Sequence, residues 1–218
     1  MSDKQIIPLF PLPLVVCPGE LLPLHIFEDR YKQMIAFCRG QNEDKQTSPF
    51  GVSLAYNNKL YNIGCSVRIE EIVKEYGDGR LDITTVGLMR YKMLEIYKDL
   101  PYIRASVEFF DDDDPEPFDL MLRERAIALH QRLNELVKGE AIQDDFAHSE
   151  QTSFQITHSA GFDVVQKQRI LEMTSENQRL HAIVTHFERV IPDIEKAEEI
   201  KRRVLSNGHF KNLRSSDI

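Results

Sequence analysis

Ile7-Pro8-Leu9-Phe10-Pro11-Leu12-Pro13-Leu14-Val15-Val16-Cys17-Pro18-Gly19-Glu20-Leu21-Leu22-Pro23-Leu24-His25-Ile26-Phe27-Glu28-Asp29-Arg30-Tyr31 is the stretch that decides the fold. Five prolines (Pro8, Pro11, Pro13, Pro18, Pro23) fall within 16 residues, embedded in Leu, Val, Ile and Phe. Proline lacks a backbone donor and fixes φ, so the run is expected to be neither a helix nor a central strand. The reading is short extended pieces along the edge of a β core, with Pro18-Gly19 as the sharpest turn. A helix follows at once. Tyr31, Met34, Ile35 and Cys38 recur at i, i+3, i+4 and i+7 and make one apolar face.

Leu9-Phe10-Pro11-Leu12, then Pro18-Gly19, Leu22-Pro23-Leu24 and Ile26-Phe27-Glu28-Asp29-Arg30-Tyr31 resemble the opening of the Lon N-terminal domain. That domain is the substrate-recognition module of the ATP-dependent Lon proteases, also found as a stand-alone protein and in cereblon. Farther on, Phe50-Gly51-Val52 is similar to the family's next core strand, and Tyr61-Asn62-Ile63-Gly64-Cys65-Ser66-Val67 to its Gly-centred strand entry. Gly87-Leu88-Met89-Arg90-Tyr91 matches its Gly-x-x-Arg-aromatic step, and Pro101-Tyr102-Ile103-Arg104-Ala105 its last strand. The ordered set covers about residues 6 to 110. Within it, Pro11, Leu12, Pro18, Gly19, Pro23 and Leu24 read as framework positions, as do Glu28, Tyr31, Gly64, Gly87 and Arg90. The resemblance implies a stand-alone Lon N-terminal-like protein with a PUA-like barrel.

The rest of the first half alternates as strands do. Gln41 to Ser48 is a polar connection, Phe50 to Tyr56 a strand and Asn57-Asn58-Lys59 a turn. Cys65, Val67 and Ile69 alternate with Ser66, Arg68 and Glu70 at period two, as in a half-buried strand. Asp78-Gly79 suits a tight hairpin, with Leu81, Ile83 and Thr85 returning. Gly87 then marks a bulge or bend, Tyr91 to Tyr97 the next strand and Ile103 to Phe110 the last. Six or so short strands and one helix imply a small, partly open antiparallel barrel.

Asp111-Asp112-Asp113-Asp114-Pro115-Glu116-Pro117 reads as a solvated hinge, since adjacent carboxylates repel and prolines break regular structure. A calcium loop is the sharper alternative, but the spaced ligands of such loops are missing. Helical spacing follows. Leu122, Ala126, Leu129, Leu133 and Leu136 form a stripe over about 118–137, closed by Gly139. Thr152 to Ser159 is a shorter helix. Asp163 with Gln166, and Ser175 with Gln178, have capping-box spacing. The last helix carries the stripe Leu180, Ile183, Val184, Phe187, Val190, Ile191, Ile194 and Ala197, extending to Ile200 and Val204, with Pro192 expected to kink it. The fold class is therefore α+β. A barrel unit (1–110) precedes an acidic hinge (111–117), a helical bundle (118–205) and a disordered tail (206–218).

Composition narrows function by exclusion. The 218 residues carry a formal charge of −8. Residues 1–117 hold 13 Lys and Arg against 19 Asp and Glu, and the remainder 14 against 16. Such a surface repels a polyanion at long range, which disfavours nucleic acid although some PUA-like barrels bind RNA. No apolar run is long enough to span a membrane, and no signal peptide is apparent. Three widely spaced cysteines (Cys17, Cys38, Cys65) suggest reduced, buried thiols and a cytoplasmic protein.

The search for chemistry returns no catalytic, cofactor or metal constellation. No Gly-x-x-x-x-Gly-Lys-[Ser/Thr] loop, His-Glu-x-x-His motif or Gly-x-Ser-x-Gly elbow occurs in the 218 residues. His181 and His186 do not share a helix face. His130 and His158 read as solvated or capping residues, and His25 as a framework residue. The chain has no Trp, so cereblon's tri-tryptophan pocket has no counterpart. The leading expectation is a non-catalytic polypeptide-recognition or adaptor protein. Its partners would be unfolded or hydrophobic-rich polypeptides, with a separate protease or chaperone as a further candidate and a homodimer left open. Leu22, Phe27, Phe109, Phe110 and Phe118, flanking the Pro-rich edge or the hinge, are the candidate contacts. An RNA-binding PUA-like module is the alternative, and a small-molecule hydrolase a third reading.

Overall fold

The computed structural model describes residues 4–40, 47–113, 117–139, 146 and 151–209. The Pro-rich opening forms β1 (Gln5–Leu12), and after the Pro18-Gly19 turn β2 (Leu21–Ile26) and α1 (Asp29–Gly40). There follow β3 (Phe50–Tyr56), β4 (Lys59–Glu75), β5 (Leu81–Tyr97) and β6 (Ile103–Phe110). The helical half holds α2 (Leu120–Lys138), α3 (Thr152–Thr157), α4 (Val164–Glu172) and α5 (Glu176–His209).

The strands form one six-stranded sheet in the order β2-β5-β4-β3-β1-β6, and β5 also pairs with β6. That extra pairing closes a partial ring and leaves β2 as the outer edge. All pairings are antiparallel except β1 with β3, which is parallel, so the sheet is mixed.

The Pro-rich strand is not at the edge. β1 lies between β3 and β6. The physical reason is a stagger: β1 pairs with β6 through Gln5–Leu9 and with β3 through Leu9–Leu12. Pro8 and Pro11 each have a strand on one side only, so neither missing donor has to bridge two ladders. Pro23 does sit on the edge strand, opposite Thr84.

The hairpins follow their turn chemistry. Asn57 and Asn58 both adopt positive φ (51° and 59°) between β3 and β4, and Gly79 (φ 82°) turns β4 into β5. β4 and β5 are long strands of 17 residues each, so the run through Gly87 is one bent strand rather than two short ones. The register shifts between Cys65 and Val67, opposite Arg90 and Gly87. A Cβ at Gly87 would lie 2.1 Å from the Cys17 carbonyl oxygen. The Pro18-Gly19 turn is laced to the same point: Gly19 N–H donates to the Gly87 carbonyl and Gly87 N–H to that of Glu20, both at 2.9 Å.

The helical units follow their local signals. α1 buries Tyr31, Met34, Ile35 and Cys38. Asp119 caps α2, which Gly139 ends in the left-handed region, and Asp163 with Gln166 forms a complete capping box on α4. Leu180, Ile183, Val184, Phe187 and Ile191 of α5 are buried, whereas Ile200 and Val204 are exposed. α5 runs unbroken through Pro192 and reaches His209, so residues 206–209 are helix rather than tail. The rest of that expected tail, residues 41–46 of the polar connection and 114–116 of the hinge lie outside the described residues.

One cluster of buried apolar residues runs from Phe10, Val52 and Val67 in the barrel to Ile170, Leu180 and Phe187 in the helices. A smaller cluster of Ile7, Leu9, Tyr91, Ala105 and Val107 fills the opposite layer.

Candidate functional site

Where β6 ends beside the middle of β5, the helical unit packs across the sheet on charged side chains. Arg90 of β5 is 2 % exposed and donates to Asp112 Oδ1 (2.5 Å) and to the Leu171 and Met173 carbonyls. Arg179 of α5, 0 % exposed, reaches the same carboxylate (Nη1 to Oδ1, 2.7 Å) and also Glu176 (2.7 Å). Ser153 closes the circuit: its Oγ donates to Glu176 and accepts from Arg179 Nε. The Phe154 ring lies 5.3 Å from the Arg90 guanidinium and 4.3 Å from that of Arg179, and Phe110 covers Arg90 at 4.7 Å. Burial alone would raise the Asp112 pKa, but hydrogen bonds and charge from Arg179 and Arg90 outweigh it and hold the carboxyl below the usual range. The solvated reading of the 111–117 segment therefore fails at Asp112, because two buried guanidiniums need a counter-charge.

Two further struts join the units. Lys167 of α4 binds both oxygens of Glu20 (2.6 and 2.8 Å), which also accepts from Cys17 N–H. Gln168 donates to the Ile63 carbonyl (3.1 Å) and to Glu172 (2.9 Å).

Beside this clamp lies an open cleft of about 340 Å³. Its floor is one face of the sheet, with Ile63, Lys92 and Glu108 in lateral register on β4, β5 and β6. Phe110, two residues beyond Glu108, continues that face. The walls are Asp111 and Asp113 on one side and Glu172 with Thr174 on the other, tied by a bond from Asp113 N–H to the Thr174 carbonyl (2.9 Å). A pocket of about 70 Å³ lies on the far side of Phe110 and Asp111, against Met89 and Arg90.

The five predicted contact residues do not form one surface. Phe110 lines the cleft. Phe109, on the other face of β6, packs edge-on against Tyr91 at 6.4 Å. Leu22 is half-buried against the main core, on the edge strand opposite Thr85. Phe27 is 59 % exposed but stacks on His25, next to the Asp82 end of β5. Phe118 (48 % exposed) belongs to another apolar patch with Leu120 and Met121 at the start of α2. Along β5, Asp82 and Arg90 stand about 26 Å apart at roughly 3.3 Å per residue, so Phe27 and Phe110 mark different regions.

Sequence reasoning missed the rest of the cleft, and the clamp beyond Arg90. Arg179 and Glu176 sit one turn before Ile183 and Leu180 on the buried stripe of α5, so charged residues in an apolar phase were the available signal. The cleft had no such signal, because Ile63, Lys92, Glu108 and Glu172 come from four separate elements.

Cβ atoms at Gly51 and Gly64 would meet the Tyr91 hydroxyl at 2.6 and 2.5 Å, and one at Gly64 would also meet the Val52 carbonyl oxygen at 2.4 Å. Tyr91, wholly buried, hydrogen-bonds Ser53 at 2.8 Å. His130 is buried rather than solvated: it pairs with Ser159 Oγ (2.7 Å) and Asn134 (3.1 Å) in the helical core. His158 is the C-terminal cap of α3. His25 pairs with Asp82 at 2.5 Å, and Tyr76 donates to the same carboxylate. All three cysteines are buried and unpaired with one another, and burial pushes the Cys17 and Cys38 thiols up to about 12 and Cys65 higher still. Among the described residues no group of three or more His, Cys, Asp or Glu is placed to hold a metal, and no helix is long and apolar enough to cross a membrane.

A partly open mixed barrel followed by a helical unit is the fold this chain shares with solved Lon N-terminal domains. The chain belongs to the family of the ATP-dependent protease La (LON) substrate-binding domain, whose model matches residues 6–189. Among solved structures it is similar to the Lon N-terminal domain protein from Xanthomonas campestris, with TM-score 0.64 and 22 % identity over 83 % of this chain and 98 % of that one. The N-terminal domain of the Mycobacterium avium complex Lon protease aligns with TM-score 0.59 and 12 % identity, covering 84 % of this chain and 98 % of that one. Lon protease 1 of Hydrogenovibrio crunogenus is 25 % identical over 88 % of this chain and 24 % of its own length. The Lon protease of Syntrophus aciditrophicus is 26 % identical over 92 % of this chain and 27 % of its own length. The chain thus spans about a quarter of the curated relatives it matches.

Proposed function

We propose that this chain is a non-catalytic polypeptide-recognition module that binds unfolded or hydrophobic-rich segments at the junction of its barrel unit (1–110) and helical unit (118–205). The observation that carries the reading is the open junction cleft with Ile63 and Phe110 in its floor. Clefts that combine apolar surface with a few polar groups are the ordinary form of a binding site. The exposed Phe118, Leu120 and Met121 offer further apolar contact. Membership of a substrate-binding family agrees with this role. The adaptor function, hand-over to a separate protease or chaperone, and action in the cytoplasm belong to the same proposal.

The test is fluorescence anisotropy with a permanently unfolded model polypeptide and a single-stranded RNA, each across a salt series. Micromolar or looser polypeptide binding that survives raised salt is expected, because apolar contact is not screened. RNA binding would fall steeply with salt as counterions are released. Tight, salt-sensitive RNA binding without polypeptide binding would overturn the proposal. The purified chain is also expected to hydrolyse neither ATP nor casein.

A further inference from the structure

The junction cleft carries a charge imbalance that says what it selects. Among the described residues, Glu108, Asp111, Asp113 and Glu172 ring it against the single cation Lys92. Asp111 lies 3.9 Å from Arg90, whose charge is committed to Asp112. Among the described residues Glu108, Asp113 and Glu172 have no ion-pair partner within 4 Å. Under the wall, Gln168 is 1 % exposed and its Oε1 lacks a hydrogen-bond partner among the described residues, although its Nε2 binds the cleft residues Ile63 and Glu172. Unpaired carboxylates beside apolar floor residues complement a cation on an apolar stem.

The backbone beside the cleft favours a chain over a free cation. β6 pairs with β1 only as far as Val107, so Glu108–Phe110 have β5 on one side and no strand on the other among the described residues. An extended segment can add main-chain hydrogen bonds at such an edge while alternate side chains enter the cleft.

We propose that the cleft binds extended polypeptide segments in which a Lys or Arg neighbours an apolar residue. This deepens the polypeptide-recognition reading and rests on it. The apolar side chain packs on Phe110 and Ile63, and the cation lies among Glu108, Asp113 and Glu172. Lys92, directly opposite Glu108, tempers the negative field and disfavours acidic segments.

The experiment uses the full chain and one fluorescent apolar peptide made with Lys, Gln or Glu at its centre, alongside the unfolded model polypeptide. At low salt the Lys peptide should bind about tenfold more tightly than the Glu peptide, a gap that shrinks as salt shortens the Debye length. The double variant Glu108→Gln/Glu172→Gln should erase most of the gap, and Lys92→Glu should widen it. Circular dichroism melts check that both variants fold. Because the two variants move the preference in opposite directions, failure of one to fold leaves the other decisive. Equal binding of the three peptides, or a preference that neither variant changes, overturns the inference. If the unfolded polypeptide still binds in that case, the recognition reading stands without it. If neither the peptides nor the polypeptide bind, both fall. Competition by free lysine ethyl ester as strong as by the Lys peptide would also overturn it, because the site would then read a small cation.

Discussion

Arg90 of β5 and Arg179 of α5 converge on one carboxylate, that of Asp112, at 2.5 and 2.7 Å on the same oxygen. Both guanidiniums are almost wholly buried, while the Asp112 side chain is 21 % exposed. Two like charges at close range are stable only because Asp112 and Glu176 lie between and beside them. The barrel is thereby bolted to the helices through a segment that reads in sequence as a spacer.

Removing one member should be costly. Arg90→Ala leaves Asp112 with half its partners and opens space beneath Phe110 and Phe154, so a loss of about 3–5 kcal/mol in urea denaturation is expected. A double-mutant cycle with Arg179→Ala should show coupling of about 0.5–3 kcal/mol. Strictly additive losses would mean that the two arginines act independently.

Asp112 also sets an acid limit. Its folded pKa lies below the unfolded value, so the unfolded state takes up the proton first as pH falls. The stabilisation is fully present above about pH 4, the ordinary carboxylate value, and is lost as pH drops through the folded pKa. Urea midpoints measured from pH 7 to pH 3 should fall more steeply below pH 4 for the native sequence than for Asp112→Asn. Parallel curves would refute the assignment.

Gly87 has no room for a methyl group. A Cβ there would sit 2.1 Å from the Cys17 carbonyl and 3.5 Å from Cys65 Sγ. Because the first neighbour is backbone in a laced turn, Gly87→Ala should cost about 1–3 kcal/mol, with the turn at Pro18-Gly19 displaced. Gly77→Ala, where nothing lies within 4 Å, is the control and should change stability by less than about 0.5 kcal/mol.

The three thiols should be silent in the native state. Cys17 and Cys38 titrate near 12, so at pH 8 only about one molecule in ten thousand carries the thiolate. Reaction with a disulfide reagent should be slow in buffer and yield three thiols at once in urea. Fast labelling of one cysteine in buffer would show local opening at its element.

Several features were legible because they are local. The face Tyr31, Met34, Ile35 and Cys38 emerges as the buried face of α1, since helix geometry alone aligns those positions. Phe50–Tyr56 and Ile103–Phe110 are strands with the expected bounds. Asp163 with Gln166 forms its capping box, since those bonds span only one turn. Pro8 and Pro11 misled in one respect. Their chemistry forbids a donor, but whether a neighbour needs that donor depends on the stagger of β1 between β6 and β3.

Sequence by itself determined the element types, the turns, the glycine-demanding positions and the family, all of which depend on neighbours in the chain or on an ordered set of motifs. Tertiary structure alone decided that Asp112 is the half-buried counter-ion of two buried arginines rather than part of a solvated spacer. It also decided that Phe110 enters a cleft while Phe109 enters the barrel, and that Ile63, Lys92, Glu108 and Glu172 meet. Such meetings follow from sheet register and from the docking of α4 across the strands. Both are set by long-range burial and by charge compensation that no local window of sequence contains.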